Sequence, residues 1–449
     1  MGSRKRLLVN SSGQYRPNGK VHSNGNGHHT GSAPIKILHI INDLSVGGTE
    51  IMLYKLLSRT NRSLFEPSVL SLNGVGPLGE RIMELGIPVE SLGLKASLLS
   101  SPSLLRLART ARRISPRLIQ GWMYHGNLAA QFAGAVSHRP LSVIWNIRQS
   151  FYSLSDEKPA TAKAIRLGAR LANRPALILN NSQKSVAQHA TLGYPANKTL
   201  VIPNGFDTEA FMPSNHARTS VRAELGVPEN AVLIGRIGRY HHTKDYPNFL
   251  QAAALVLRDY PDPQFVVAGK GVDWNNDELR RQVQDLGLIE RIHLLGERLD
   301  MPRLTAALDI AISSSHAEGF PNVIGEAMAC GVPCVVTDVG DSAWLVDDTG
   351  KVVPAQEPRL LAAACSALIK MGREGREQLG SAARARVTTH YSIASVVRLY
   401  ESLYQRIVAQ GSLPECALDS LSVSQTIKLD PFEDPAAVLS EVTRAASSH

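Results

Sequence analysis

Ser313-Ser314-Ser315-His316-Ala317-Glu318-Gly319-Phe320-Pro321-Asn322-Val323-Ile324-Gly325-Glu326-Ala327-Met328-Ala329-Cys330-Gly331 is the stretch that decides how the chain is read. The apolar run before it, Asp309-Ile310-Ala311-Ile312, reads as a buried strand. The chain breaks at Gly319 and restarts as a helix with Pro321 in its first position, where a missing N–H costs nothing. Gly331 supplies the stop. A strand, a polar loop and a helix N-terminus offer free N–H groups and the positive end of a dipole, a setting that suits phosphate. Glu318 in the loop and Glu326 inside the helix flank that setting. Phosphate with a pair of carboxylates points to a nucleotide sugar, its diphosphate on the N–H groups and its hydroxyls on the carboxylates.

Working outward, the remaining chain alternates apolar strand-like runs with helical patterns. Ile35–Ile41 opens the series, and Asn42-Asp43-Leu44-Ser45-Val46-Gly47-Gly48-Thr49-Glu50 leads from it into an amphipathic helix. Further strand-like runs cover residues 67–72, 89–92, 118–122, 142–146, 176–180 and 199–202. After Pro203-Asn204-Gly205 and a polar segment with a short helix over 217–225, a second series starts at Ala231-Val232-Leu233-Ile234-Gly235. Repeated β-α units with apolar strands predict parallel sheets covered on both faces. The expected class is therefore α/β with two doubly wound, Rossmann-like domains. The expected boundaries are 1–33 for a disordered leader, 34–205 for the first domain and 206–230 for a linker. The second domain is expected over 231–390, a crossover helix over 391–409 and a loosely ordered tail over 410–449.

In the second domain, Arg239 and Lys244 sit in the loop after the first strand. A departing diphosphate needs fixed cations or a metal to stabilise it. No convincing Asp-X-Asp lies between a strand and a loop, so cations without a metal are expected. His241 and His242 between them receive no role. Gly47-Gly48 lacks dinucleotide-fingerprint spacing, and Gly269-Lys270-Gly271 is not a P-loop, so neither NAD nor a Walker-type site is expected. The four cysteines lack the clustered partners of a zinc site and read as buried thiols.

The signature Glu318 to Pro333, with its glutamates eight positions apart, resembles that of the retaining glycosyltransferases of family GT4, whose fold is GT-B. The Gly47-Gly48 loop, Val201 to Asp207, the Arg239/Lys244 pair, Thr337 to Asp341 and Thr349 to Pro354 match the same family in the same order, from about Ile35 to Val408. The resemblance implies that Arg239 and Lys244 stabilise the leaving diphosphate, that Glu318 orients the sugar and that Glu326 holds the ribose. It implies donor contacts at Gly47, Gly48, Gly319, Phe320, Pro321, Asn322 and Val323. His125, in Trp122-Met123-Tyr124-His125-Gly126-Asn127, resembles the family's acceptor-side histidine beside the transferred sugar. Arg148 ends the next strand at the same edge and is a weaker candidate for an acceptor phosphate. The implied route is front-face transfer, with no dedicated nucleophile and no cofactor beyond the donor. The implied donor is a UDP-sugar first and GDP-mannose next. A sugar-nucleotide epimerase and a non-catalytic sugar-nucleotide-binding subunit are the alternatives.

Charge is divided unevenly. Up to Gly205 there are 25 Lys+Arg and 8 Asp+Glu, or +17; the remainder holds 48 − 25 = 23 and 39 − 8 = 31, or −8, which sum to +9. The basic first half predicts a polyanionic partner. Leu104, Leu107, Ala108, Ala111 and Ile114 recur at helical spacing with Arg106, Arg109, Arg112 and Arg113 elsewhere, the pattern of a helix on an anionic membrane. A lipid-linked or glycan acceptor follows, and nucleic acid is not expected because no recognition helix or aromatic platform accompanies the charge. No apolar run spans a bilayer and the N-terminus lacks the apolar core of a signal peptide. The expected place is the cytoplasm, peripheral on the cytoplasmic face of the membrane.

Overall fold

The computed structural model describes residues 33–94, 101–150, 154 and 157–410. The expected leader over 1–33 lies outside the described residues apart from Ala33, and the expected tail apart from Gln410. The first sheet runs Ile35–Ile41 (β1), Phe65–Ser71 (β2), Val89–Ser91 (β3), Leu118–Trp122 (β4), Ser142–Ile147 (β5), Leu177–Asn180 (β6) and Thr199–Val201 (β7). Its helices are Gly48–Arg59 (α1), Gly76–Glu84 (α2), Ser101–Ile114 (α3), Met123–Ala135 (α4), Pro159–Leu171 (α5) and Gln183–Ala190 (α6). In the second half Asn215–Leu225 (α7) precedes Leu233–Ile237 (β8), Tyr246–Asp259 (α8), Gln264–Ala268 (β9), Asp277–Asp285 (α9), Ile292–Leu294 (β10) and Met301–Ala306 (α10). Then come Ile310–Ser313 (β11), Asn322–Ala329 (α11), Cys334–Thr337 (β12), Ser342–Val346 (α12), Gly350–Val353 (β13), Pro358–Lys370 (α13), Gly372–His390 (α14) and Ile393–Gln410 (α15).

The sheets order as β3-β2-β1-β4-β5-β6-β7 and β10-β9-β8-β11-β12-β13. All of their pairings are parallel. Strand β1 is buried from Ile37 to Ile41, which is why, apart from His39, it reads as an apolar run rather than an alternation. The order reverses between β1 and β4 and again between β8 and β11. Open α/β sheets bind ligands outside the carboxyl ends of strands at such switch points.

The closing helix α15 places Ile393, Val396, Val397, Tyr400, Leu403, Tyr404 and Ile407 on one stripe at spacings of three and four. These side chains join Ile37, Leu53, Leu57 and Phe65 in the core of the first sheet. Burial of side chains of this size contributes ~1.5–3 kcal/mol each. The two passages between the halves are stitched together, since Phe206 N–H donates to Tyr391 O and Ile393 N–H donates to Phe206 O, both at 2.8 Å.

Two local expectations change. Pro321 occupies the N-cap of α11, with φ −82° and ψ 90°, and Asn322 is the first helical residue. The apolar stripe of α3 is spent inward: Leu107 and Ala111 sit in the core with Leu38 and Ile119. The helix therefore turns Arg106, Arg109 and the 47% exposed Leu105 to solvent. Arg113 pairs with Glu90, and Arg112 donates to Val136 O.

Candidate active site

A cavity of about 720 Å³ opens where the carboxyl ends of both sheets face each other. Gly48 follows β1, Met123 follows β4, Arg148 to Ser150 follow β5 and Asn181 follows β6. Across from them stand Arg239 and His241 to Lys244 after β8, and His316 to Phe320 with Asn322 after β11. Every one of these positions lies at a strand's carboxyl end, and the volume is that of a typical small-molecule site.

Lys244 and Glu318 form an ion pair in the wall, and Ser315 Oγ donates to the same carboxylate oxygen at 2.8 Å. The loops that carry the two residues are joined as well: His316 N–H donates to Thr243 O at 3.0 Å. The carbonyl of Lys244 is held from beneath. Arg236, 1% exposed, donates to it and stacks on Tyr246 with its guanidinium carbon 4.0 Å from the ring centroid. Ser314 Oγ adds a bond to the same carbonyl at 3.0 Å. Burial lowers the Arg236 guanidinium from its ordinary value, against the pull of Tyr246 and of the Glu318 charge. Arg239 is exposed at the cavity rim.

The N-terminus of α11 points at the cavity from one side and that of α1 from the other. A Cβ on Gly48 would meet only Asn322 Nδ2, at 3.8 Å. Gly47 is extended, with φ −156°, at the N-cap of α1 and does not line the cavity. Gly340 has φ +57°, and a Cβ there would stand 2.4 Å from Gly319 O. Only glycine lets this turn close on the Glu318-Gly319 loop. Gly325 is needed for another reason, because a Cβ would lie 2.0 Å from the ring of Phe206, which stacks on Phe320.

The sequence candidates thus divide. Gly48, Arg148, Arg239, Lys244, Glu318, Gly319, Phe320 and Asn322 line the cavity together, while Gly47, His125, Pro321, Val323 and Glu326 are not in its lining. His125 is half-buried on the first turn of α4, and burial lowers its imidazole from the ordinary value. Its neighbours have packing roles: Gly126 lies against Ile40 O, and Asn127 Oδ1 accepts from Asn146 N–H at 3.1 Å. Met123, with φ +61°, is the residue of that motif that reaches the cavity. Burial pushes Glu326 up to about 7, with the charge of Lys55 opposing the shift. Arg148 is 8% exposed and its terminal nitrogens are occupied by Tyr400 Oη, Asn146 Oδ1 and Asn204 Oδ1. An acceptor phosphate would meet a guanidinium already fixed in place.

Sequence reasoning missed Arg236, Asn204 and Asp341. Asp341, 3% exposed, accepts the backbone N–H of Gln183 at 2.8 Å and of Lys184 at 3.2 Å. Burial pushes its carboxyl up to about 6 against the pull of those N–H groups and of the Lys184 charge. A buried arginine inside a strand and an aspartate in a glycine turn carry no local sequence signal for such roles. Among the described residues no group of three or more His, Cys, Asp or Glu could hold a metal ion. No described helix is long and apolar enough to cross a membrane.

The cavity sits between two segments that match known family models. Residues 46–210 match the model described as Glycosyltransferase Family 4, and residues 231–371 match Glycosyl transferases group 1. The lipopolysaccharide core biosynthesis mannosyltransferase LpsB of Rhizobium meliloti is 29% identical over 49% of this chain and 64% of that protein. The UDP-Gal:alpha-D-GlcNAc-diphosphoundecaprenol alpha-1,3-galactosyltransferase of Escherichia coli is 32% identical over 38% of this chain and 44% of that protein. In both cases the match spans less than two thirds of the relative's length. Among solved structures, Anabaena Alr3699/HepE in complex with UDP superposes with a TM-score of 0.73 at 26% identity, covering 83% of this chain and all of that one. The architecture is accordingly GT-B.

Proposed function

We propose that this chain, which belongs to the group 1 glycosyltransferases of family 4, moves a sugar from a nucleoside diphosphate sugar to an acceptor hydroxyl with retention of configuration. The observation that carries this reading is the Lys244–Glu318 pair between two helix N-termini. Cations and N–H groups there suit a diphosphate, and the adjacent carboxylate suits sugar hydroxyls.

In this reading Arg239, Lys244, the N-terminus of α11 and the Gly47-Gly48 loop stabilise charge as it builds on the leaving diphosphate. Glu318 turns from Lys244 to the sugar hydroxyls, with Gly319, Phe320 and Asn322 shaping the donor wall and Pro321 and Val323 supporting it from behind. Glu326 and His125 lie outside the cavity lining of the ligand-free fold, and their roles, the ribose for Glu326 and the transferred sugar for His125, rest on the family resemblance. The bond from the anomeric carbon to the β-phosphate oxygen breaks, and the acceptor oxygen bonds to that carbon on the same face. The acceptor's proton passes to the departing phosphate oxygen. No metal takes part, and closure of the halves excludes water.

A UDP-sugar is the first choice of donor, supported by solved relatives that contain UDP and UDP-glucose, and GDP-mannose is the second. The acceptor is a lipid-linked or membrane-surface glycan in polysaccharide or glycolipid assembly. Support comes from the basic first half and from Arg106 and Arg109 on the exposed face of α3. With the apolar stripe of α3 buried, attraction to an anionic bilayer is electrostatic, about 1 kcal/mol per basic residue, and fades with salt.

The test is release of nucleoside diphosphate from UDP-, GDP- and ADP-sugars in the presence of EDTA, for the wild type and Glu318→Ala. Release from one donor that survives EDTA and is lost in the variant supports the reading and names the donor. No release from any donor, even with membrane extract as acceptor, overturns it in favour of a binding role.

A further inference from the structure

We propose that Asp341 is a positioning residue that locks the two halves of the cavity in register by capping, from the second domain, a helix of the first. The helix is α6. Its own N-cap, Ser182, satisfies only the third N–H, with Ser182 Oγ accepting from Ser185 N–H at 3.0 Å. The first two N–H groups, those of Gln183 and Lys184, are the orphans that every helix leaves. Both are taken by the Asp341 carboxylate, one by each oxygen, at 2.8 and 3.2 Å. A carboxylate at a helix N-terminus gains from N–H donors and from the dipole. Here the gain exists only while the two domains face each other as they do.

Asp341 also reaches the reaction side. Its own N–H donates to Gly319 O at 3.0 Å, beside Glu318. On the opposite wall, Ser185 of α6 donates to Gln149 O at 2.9 Å, and Ser150 Oγ would stand 3.2 Å from a Cβ on Gly319. One residue therefore ties the loop that carries Glu318 to the helix that supports the facing wall. The arrangement does not depend on which donor enters, and it can be tested with no donor present.

The measurement is the interdomain distance distribution of the ligand-free full chain by pulsed electron spin resonance. Spin labels are placed at Lys163→Cys in α5 and Gln251→Cys in α8, both exposed. Cys330, Cys334 and Cys365 are buried, and Cys416 is replaced by serine. Two variants break the latch from opposite sides. Asp341→Ala removes the acceptor. Gln183→Pro removes one donor at a first helical position, where proline is tolerated. Ser182 before it is already extended, with φ −149° and ψ 150°, as a residue preceding proline must be. The expected result is a longer, broader distribution in both variants, with unchanged far-ultraviolet circular dichroism. A wild-type distribution in Gln183→Pro overturns the proposal, whatever Asp341→Ala does, because a carboxylate acting elsewhere would not notice the loss of that N–H. Asp341→Ala with the wild-type distribution overturns it equally.

Discussion

Asn204, in the segment leaving the first domain, donates its amide to Asn322 Oδ1 at 2.6 Å, on the first residue of the cavity-facing helix α11. Its carbonyl oxygen faces the other way and accepts from Arg148, which also holds Tyr400 Oη at 3.0 Å. The orientation follows from chemistry: arginine only donates, so the amide must turn its oxygen toward Arg148 and its nitrogen toward Asn322. Asn204→Asp keeps an oxygen for Arg148 and loses the donor to Asn322. We expect it to fold with near wild-type stability and to lose about tenfold or more in turnover, as the loss of one buried hydrogen bond at a site would give. Asn204→Ala leaves Arg148 without that partner and should also lower stability by about 1–3 kcal/mol, read from the denaturation midpoint. Wild-type turnover in Asn204→Asp, measured by nucleoside diphosphate release, would show that the link does not matter to the reaction.

Lys244 and Glu318 touch each other and face one cavity, so their contributions are coupled. In the proposed reaction Lys244 faces the charge on the leaving diphosphate, so its removal should cost ~10²–10³-fold in turnover. Glu318→Ala is expected to cost a similar factor through lost sugar orientation. In the double variant neither group can do its part, so the losses should fall well short of multiplying. Full multiplicativity of the two factors would mean that the pair acts independently and would remove the basis for treating it as one device.

The alternation of strands and helices was readable because the buried parallel strands are mostly apolar runs, broken by only a few polar residues such as His39, Gln120 and Arg236. The helix stripe at Ile393, Val396, Val397, Tyr400, Leu403, Tyr404 and Ile407 was readable because its period is that of a helix. Arg239 with Lys244, and Glu318 with Gly319, were readable because each pair is close in sequence and lies in a loop after a strand. Asp341 and Asn204 were not, because each acts on a partner more than a hundred residues away, and only the approach of the two halves brings the partners together. The basic helix α3 shows the opposite failure. Its pattern was seen correctly, yet periodicity cannot say whether an apolar stripe meets a core or a bilayer, and here Leu107 and Ala111 meet the core.

Gly340 and Gly226 allow a comparison within the chain. Both have positive φ, +57° and +67°, so an added Cβ strains either by about 1–2 kcal/mol. At Gly226 nothing lies within 4 Å of the added atom, whereas at Gly340 it stands 2.4 Å from Gly319 O and 2.5 Å from Glu318 O. Gly226→Ala should therefore lower stability by roughly that amount and leave turnover alone. Gly340→Ala should cost more stability and abolish turnover, because the carbonyls that must retreat belong to the loop holding Glu318. Denaturant midpoints and nucleoside diphosphate release on the two variants decide the matter. Equal effects would mean that the Glu318 loop yields without consequence.

Glu326 provides the pH test. Burial raises its carboxyl from an ordinary 4.5 to about 7, so the folded chain binds this proton more tightly than the unfolded one. Stability then falls as pH rises through the window from about 4.5 to about 7, and the penalty is fully present above it. Glu326→Gln removes the ionised form altogether. The variant should be more stable than the wild type at pH 8, by on the order of 1–3 kcal/mol, and should match it near pH 4, where both side chains are neutral. Comparing the two proteins isolates this group from every other titration in the chain. The same change deletes the carboxylate proposed to hold the ribose, so UDP affinity should fall about tenfold while stability rises, the trade expected where a site keeps an unfavourable charge for binding. Denaturation midpoints across pH 4–8 and calorimetric titration with UDP separate the parts. A variant no more stable at pH 8 would mean that the ionised carboxylate is already satisfied in the ligand-free fold. Unchanged UDP affinity would take the ribose away from Glu326.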